Sequence, residues 1–167
     1  LSRMLTLEVF GYYSLAWTFA QTPISILSNP VYQAVFPKLT QYVAQQAQED
    51  LTRLYHHACQ AVSVLVFPVT AVICFFSRES LFVWLGNMAV ATQAARLESV
   101  LIASACLTGV LIMPYALVLA NGWTSLSLKM NCINITVLIP LLFVLVKRYG
   151  TIGAGISWFI LNSIYML

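Results

Sequence analysis

Long apolar stretches without charged residues alternate with short polar segments along this chain. A hydrocarbon core about 30 Å thick is crossed by about 20 helical residues. The stretches are apolar on every side, whereas the strands of membrane barrels alternate apolar and polar residues. The pattern predicts an all-α, polytopic membrane helix bundle with about five transmembrane helices, at residues 9–36, 58–76, 99–120, 130–146 and 151–167.

The segment between the first two predicted spans, residues 38–57, is the most polar part of the chain. Leu39, Val43, Ala47, Leu51 and Leu54 recur there at spacings of three or four, which places them along one stripe of a helix. This spacing predicts an amphipathic connector helix lying in the membrane interface.

Prolines and glycines mark irregular points in the predicted spans. A proline removes a backbone hydrogen bond and tends to kink or interrupt a helix, and irregular backbone at membrane depth lines a cavity in many transporters. The alternative is that membrane helices simply contain more prolines than soluble ones. Gly150, Gly153 and Gly155 predict that the last span approaches its neighbours closely. The prolines inside spans are Pro23, Pro30, Pro68, Pro114 and Pro140.

The composition of the chain excludes several classes of protein. Of its 167 residues, 60% are hydrophobic and 8% are charged, which excludes a soluble enzyme and a disordered chain. The net charge of +3 is too small and too scattered for a nucleic-acid-binding face. The four cysteines show no metal-ligand or disulfide spacing and are expected to be small buried hydrophobes.

No motif for catalysis or for a cofactor occurs in the sequence. His56 and His57 are adjacent and point about 100° apart on a helix, so they do not form one metal or catalytic site. No nucleophile motif or phosphate-binding loop is present. The sequence therefore predicts a protein that is not an enzyme and that needs no cofactor or metal.

Polar residues inside or at the ends of spans are the candidates for a substrate path. Amides inside a span bond to another helix or line a solvated path, and both alternatives stay open. Basic residues at span ends extend to the lipid headgroups or face a cavity and attract a phosphate or pyrophosphate. The candidates are Gln21, Asn29 and Gln33 in the first span, Asn131 and Asn134 in the fourth, and Arg3, Lys38 and Lys129 at span ends. The sequence places no charge in the centre of a span.

Several short motifs, in their order along the chain, resemble a known family. They are EVFGYYSLA at 8–16, VFPKLT at 35–40, LTRLY at 51–55, LFVWLG at 81–86 and YGTIGAG at 149–155. The chain resembles the polysaccharide-exporting branch of the multidrug/oligosaccharidyl-lipid/polysaccharide (MOP) flippase superfamily, and most closely the bacterial O-antigen (Wzx-type) flippases.

The resemblance implies a fold of twelve helices in two six-helix lobes around a central cavity. This chain would be the C-terminal lobe of a longer protein: the tail of helix seven, then helices eight to twelve. The resemblance places 38–57 and 121–129 in the cytoplasm. The loops on the side of Lys147 and Arg148 hold five basic residues, and the loops on the other side hold three. Because cytoplasmic loops carry an excess of basic residues, this count instead places the side of Lys147 and Arg148 in the cytoplasm. We follow the resemblance, because the count is close.

The implied function is translocation of undecaprenyl-pyrophosphate-linked oligosaccharide across the bacterial inner membrane by alternating access. Alternatives are a multidrug or other polysaccharide exporter of the same superfamily, or a membrane-embedded polysaccharide polymerase or transferase. The expected partners are the lipid-linked oligosaccharide, membrane lipids and the N-terminal lobe of the same protein. A polysaccharide polymerase and chain-length proteins are further candidate partners.

Overall fold

The fold is a bundle of helices, as the apolar pattern predicts. The computed structural model describes residues 7–165, with side chains described for 10–164, and helices account for 94% of the described residues. No strand occurs in this part of the chain. The helices are α1 (Leu7–Ala44), α2 (Gln48–Phe75), α3 (Ser77–Leu85), α4 (Met88–Ala120), α5 (Thr124–Tyr149) and α6 (Thr151–Tyr165).

Three of these helices are long and apolar enough to cross a bilayer, namely α2, α4 and α5. α6 is apolar but shorter, with 15 residues. α1 is the longest, with 38 residues, but no window of it is apolar enough to meet the same requirement. The chain is a multi-pass membrane protein, and its first and fifth predicted spans remain predictions.

The prolines do not interrupt the helices. α1 continues through Pro23, Pro30 and Pro37, and the other prolines also lie inside helices. The expected interruption of a span is therefore wrong for the described residues, whereas the expected kink stays a prediction.

The predicted amphipathic connector at 38–57 is not a separate helix. α1 runs on to Ala44, the chain turns at Gln46 with a positive φ of 56°, and α2 begins at Gln48. Leu39 and Leu51 are buried in one cluster, which holds the end of α1 against the start of α2. The apolar stripe seen in the sequence therefore packs helix on helix, and does not form a free face for the membrane surface.

α4 is the central helix of the bundle and packs against α1, α2, α3 and α6. At Gly109 a Cβ atom would meet Ile24 and Ser28 of α1 and Val66 of α2, so the three helices touch at one level. Val66 lies midway along the apolar part of α2. When the apolar part of α2 is centred in a bilayer, this level corresponds to the middle of the membrane.

Two of the three glycines around the start of α6 have the role that their spacing predicts. A Cβ atom at Gly153 would collide with the backbone of Leu145 and Val146 in α5. A Cβ atom at Gly155 would press on Val100, at 3.1 Å, and on Leu101 of α4. The third glycine, Gly150, has a φ of 61° and makes the turn between α5 and α6. The absence of side chains at 153 and 155 thus lets α6 pack closely against both neighbours.

Glu98 of α4 is a carboxylate in the interior of the bundle. It is 0% exposed, and neither of its oxygen atoms has a hydrogen-bond partner among the described residues. It lies 11 residues from Gly109, or about 16 Å along the helix, near the edge of the hydrocarbon core. Two polar oxygen atoms buried there without a partner cost free energy that the surrounding packing has to offset.

Replacing Gly153 by alanine should destabilise the protein. The new Cβ meets backbone that cannot rotate away, so we expect a loss of about 1–3 kcal/mol in the free energy of unfolding, measured by thermal unfolding in detergent. Gly11→Ala in α1 is the control, because nothing lies within 4 Å of its Cβ position. Equal stability of the two variants would contradict the close α5–α6 contact.

Replacing Glu98 by methionine should stabilise the protein. The methionine keeps the length of the side chain and removes two unpartnered polar atoms, which favours the folded state by about 1–3 kcal/mol. The unfolding temperature should rise, whereas it should not change for Glu79→Met at an exposed position of α3. A lower unfolding temperature for Glu98→Met would mean that the carboxylate has a stabilising partner in the membrane.

Candidate substrate path

One face of α1 is polar over most of the length of the helix. Its members recur at spacings of three, four or one, so they fall within an arc about 120° wide. We call this surface the α1 polar face. It consists of Ser14, Thr18, Gln21, Thr22, Ser25, Asn29 and Gln33.

The α1 polar face is long enough to extend across a hydrocarbon core. From Ser14 to Gln33 the helix rises about 28 Å, close to the core thickness of about 30 Å. The midpoint of this length falls at Ile24, which touches Gly109 at the middle level of the membrane. If α1 crosses the bilayer, as the sequence predicts, these polar side chains form a line from one leaflet to the other.

This face does not pack against the other described helices. Thr18, Thr22, Ser25, Asn29 and Gln33 are exposed, and Ser14 and Gln21 are half-buried. The helix packs with its opposite side instead, where Ala16, Ala20 and Ile24 are buried.

The hydroxyl groups of the α1 polar face donate to carbonyls of their own helix. Thr18 donates to the carbonyl of Ser14 at 2.9 Å, Thr22 to that of Thr18 at 2.7 Å, and Ser25 to that of Gln21 at 2.9 Å. Each hydroxyl oxygen keeps its acceptor capacity for a molecule outside the helix. The amides of Asn29 and Gln33 add donors and acceptors. The α1 polar face is a neutral hydrogen-bonding surface with no charged side chain.

The other predicted path residues do not join this face. Lys38 is exposed, but it follows Gln33 by five residues and lies on the opposite side of α1. Lys129 and Asn131 are exposed and Asn134 is half-buried on α5, which packs on α6 and only lightly on α4. Arg3 lies outside the described residues. The structure thus brings together Gln21, Asn29 and Gln33 and places the α5 residues elsewhere.

Asn131 lines a cleft of about 480 Å³ between α4, α5 and α6. At the cleft, Asn162 of α6 donates to the hydroxyls of Ser104 and Thr108, both at 3.0 Å, and so ties α6 to α4. Asn162 was not singled out in the sequence, although an amide inside an apolar span is the signal that singled out Asn131. Most other residues of the lining are apolar.

Glu98 is a second polar residue that the sequence pattern missed. The predicted third span begins at 99, because Arg96 and Glu98 end the uncharged stretch. The helix begins 11 residues earlier, at Met88, where the side chain of Asn87 accepts hydrogen bonds from the backbone N–H groups of Ala89 and Val90. An asparagine N-cap before an alanine-rich segment is the signal for this earlier start. Glu98 is consequently inside the helix and not in a loop.

The sequence is similar to known proteins of polysaccharide biosynthesis. A "Putative O-antigen transporter" of Shigella flexneri is 22% identical over 160 residues, which are 93% of this chain and 37% of that protein. An "Uncharacterized membrane protein in cps region" of Klebsiella pneumoniae is 23% identical over 170 residues, 99% of this chain and 33% of that protein. The chain spans about a third of the length of these relatives. No solved structure gives a significant match.

The sequence model of one family, described as "Polysaccharide biosynthesis protein", matches residues 1–92, more than half of the chain. The matched segment contains the whole α1 polar face. The chain therefore belongs to the polysaccharide biosynthesis protein family, within the polysaccharide flippases that its motifs resemble.

Proposed function

We propose that this chain is the C-terminal lobe of a transporter in the bacterial inner membrane. The transporter moves an undecaprenyl-pyrophosphate-linked oligosaccharide from the inner to the outer leaflet by alternating access. The observation that carries the proposal is the α1 polar face, which is long enough to cross a hydrocarbon core and is left uncovered by the other described helices. Membership in the polysaccharide biosynthesis family supports the substrate class.

The chemistry of the α1 polar face suits a saccharide. A sugar carries many hydroxyl groups, and each loses its hydrogen bonds to water when it enters hydrocarbon, at a cost of several kcal/mol. The hydroxyl and amide groups between Ser14 and Gln33 replace these bonds at every level of the membrane. Since the groups are neutral, no single position holds the headgroup tightly, which suits passage along the face.

The exposed position of this face calls for a second surface opposite it. Polar groups that face lipid are unfavourable, whereas the same groups facing a solvated cavity are satisfied. A second lobe that covers α1 across such a cavity provides this environment, and the relatives are long enough to contain one. In the proposed orientation the α1–α2 and α4–α5 turns lie in the cytoplasm.

The transport activity can be tested by complementation. Cells that lack their own O-antigen flippase and carry the complete coding sequence should regain surface polysaccharide, detected on gels of extracted lipopolysaccharide. No recovery in spite of normal protein in the membrane would contradict the proposed substrate.

Substitutions on the α1 polar face should impair transport. Thr22→Val combined with Asn29→Leu removes polar groups on both sides of the middle level. We expect the amount of surface polysaccharide to fall about tenfold. This loss is equivalent to an increase of about 1.4 kcal/mol in a rate-limiting barrier. Thr136→Val is the matched control, because Thr136 is also exposed and also donates to a carbonyl of its own helix, at 2.8 Å. Equal activity of both variants would mean that α1 faces lipid.

The face should also be accessible to water. In a background without the four native cysteines, Thr22→Cys should react with a membrane-impermeant maleimide, because the proposed cavity holds water at this depth. Ile139→Cys, 65% exposed on α5, is the control and should stay unlabelled in lipid. Similar labelling of both positions would argue against a cavity at α1.

A further inference from the structure

A stripe of small and apolar residues runs along the side of α4 that faces α1. Its members follow one another at spacings of three or four, so they share one face of the helix. All of them are buried, and Glu98 stands in the middle of the stripe. The other members are Ala91, Ala94, Ile102, Ala105 and Gly109.

The stripe places Glu98 where three helices pack together. On one side of Glu98, Ala94 lies in a cluster with Leu81 of α3 and Phe19 of α1. On the other side, the stripe continues into the main core cluster, which contains Ala16 of α1. The carboxyl group is therefore enclosed between apolar groups of α1, α3 and α4, and its side chain is 0% exposed.

No described side chain offers this carboxyl group a hydrogen bond or a counter-charge. Both of its oxygen atoms lack a partner. On the neighbouring helices, Tyr12, Tyr13 and Cys74 can titrate but are neutral at physiological pH. The thiol of Cys74 donates to the carbonyl of Ser99, at 4.0 Å.

The charged side chains around Glu98 point to the surface of the bundle. α6 has no charged residue in its described part, and the charges from Lys38 to His57, with Lys129, lie toward the opposite end of the bundle. Arg3 and Glu8 are outside the described side chains. The charged residues nearer to Glu98 along the bundle are all exposed, namely Arg78 and Glu79 of α3, Arg96 of α4, and Lys147 and Arg148 of α5.

These surroundings favour the neutral form of the carboxyl group. An ionised carboxylate without a donor or a counter-charge costs far more free energy in an apolar interior than a neutral carboxyl group does. The same group becomes hydrated and ionises when water reaches it. Since Glu98 lies near the edge of the hydrocarbon core, water is close once α1 or α3 moves away from α4.

We propose that Glu98 is a proton-binding site of this lobe. The carboxyl group holds its proton while α1 and α3 pack on α4, and it releases the proton to water when these helices separate. The bond that breaks is the O–H bond of the carboxyl group, and the carboxylate that remains accepts hydrogen bonds from water. Any separation of α1 from α4 at this level is thus linked to the release of one proton. The inference concerns the packing of the lobe and does not depend on the substrate of the proposed function.

Infrared spectroscopy of the purified protein, expressed from the complete coding sequence, tests the protonation of Glu98. A protonated carboxyl group has a carbonyl stretch that is resolved from the bands of a carboxylate. At neutral pH this band should be lost in Glu98→Gln and retained in Glu79→Gln, an exposed position of α3. Glu98→Met replaces Glu98→Gln if that variant does not fold. An unchanged band would mean that Glu98 is ionised and paired, which would overturn the inference.

The pH dependence of stability tests the link between the proton and the packing. An unfolded glutamate loses its proton above about pH 4.3, whereas the packed Glu98 keeps it, so the folded state binds one proton more. Raising the pH therefore favours unfolding. From roughly pH 5 to pH 7, the ratio of unfolded to folded protein should rise about tenfold per pH unit more in the unaltered protein than in Glu98→Gln. Denaturant titration in detergent measures this ratio, and an equal pH dependence of the two proteins would overturn the link.

Discussion

Under the proposed function, the structure depends on how the polar groups of α1 are satisfied in a medium without water. Backbone groups are satisfied within each helix, and the hydroxyls of Thr18, Thr22 and Ser25 return their protons to carbonyls of the same helix. The amides of Asn29 and Gln33 have no such local solution and are exposed. α1 is therefore stable at membrane depth only if its polar face meets water or another polar surface. The fold therefore calls for a path with two sides, one formed by the α1 polar face and the other by the surface opposite it.

The rest of the lobe is built to hold α1 in one orientation. Ala16 and Ala20 are fully buried, which lets the apolar side of α1 lie close to α4. At Gly109 the side chains of α1 and α2 meet the backbone of α4, so rotation of α1 about its axis would create a clash there. The polar face is thus fixed outward by close packing on the inner side. α5 is attached differently, through its contact with α6, and leaves space beside α4.

Sequence alone could predict which segments form helices, but not how the helices use their faces. The helices can be located from charge-free stretches, because the hydropathy of a stretch depends only on residues that are adjacent in the sequence. The start of α4 at Met88 and the burial of Glu98 depend on a cap and on packing, neither of which changes the charge pattern. Leu39 and Leu51 look like a membrane-facing stripe until their contact across the turn is known. Likewise, Gln21, Asn29 and Gln33 are recognisable as polar residues in a span, but Thr18, Thr22 and Ser25 join them only once exposure is known.

The distribution of charge on the lobe bears on how the proposed substrate would be shared between two lobes. A saccharide needs hydrogen bonds, which the α1 polar face offers, whereas a pyrophosphate needs positive charge. No basic side chain lies on that face, and the exposed lysines Lys38 and Lys129 lie toward one end of the bundle. A pyrophosphate that crossed the middle level beside this lobe alone would be without a counter-charge, at a cost far above that of a sugar hydroxyl. Under the proposed function, the opposite lobe must therefore supply the cationic groups at mid-depth, and the two halves of the path must be chemically unequal.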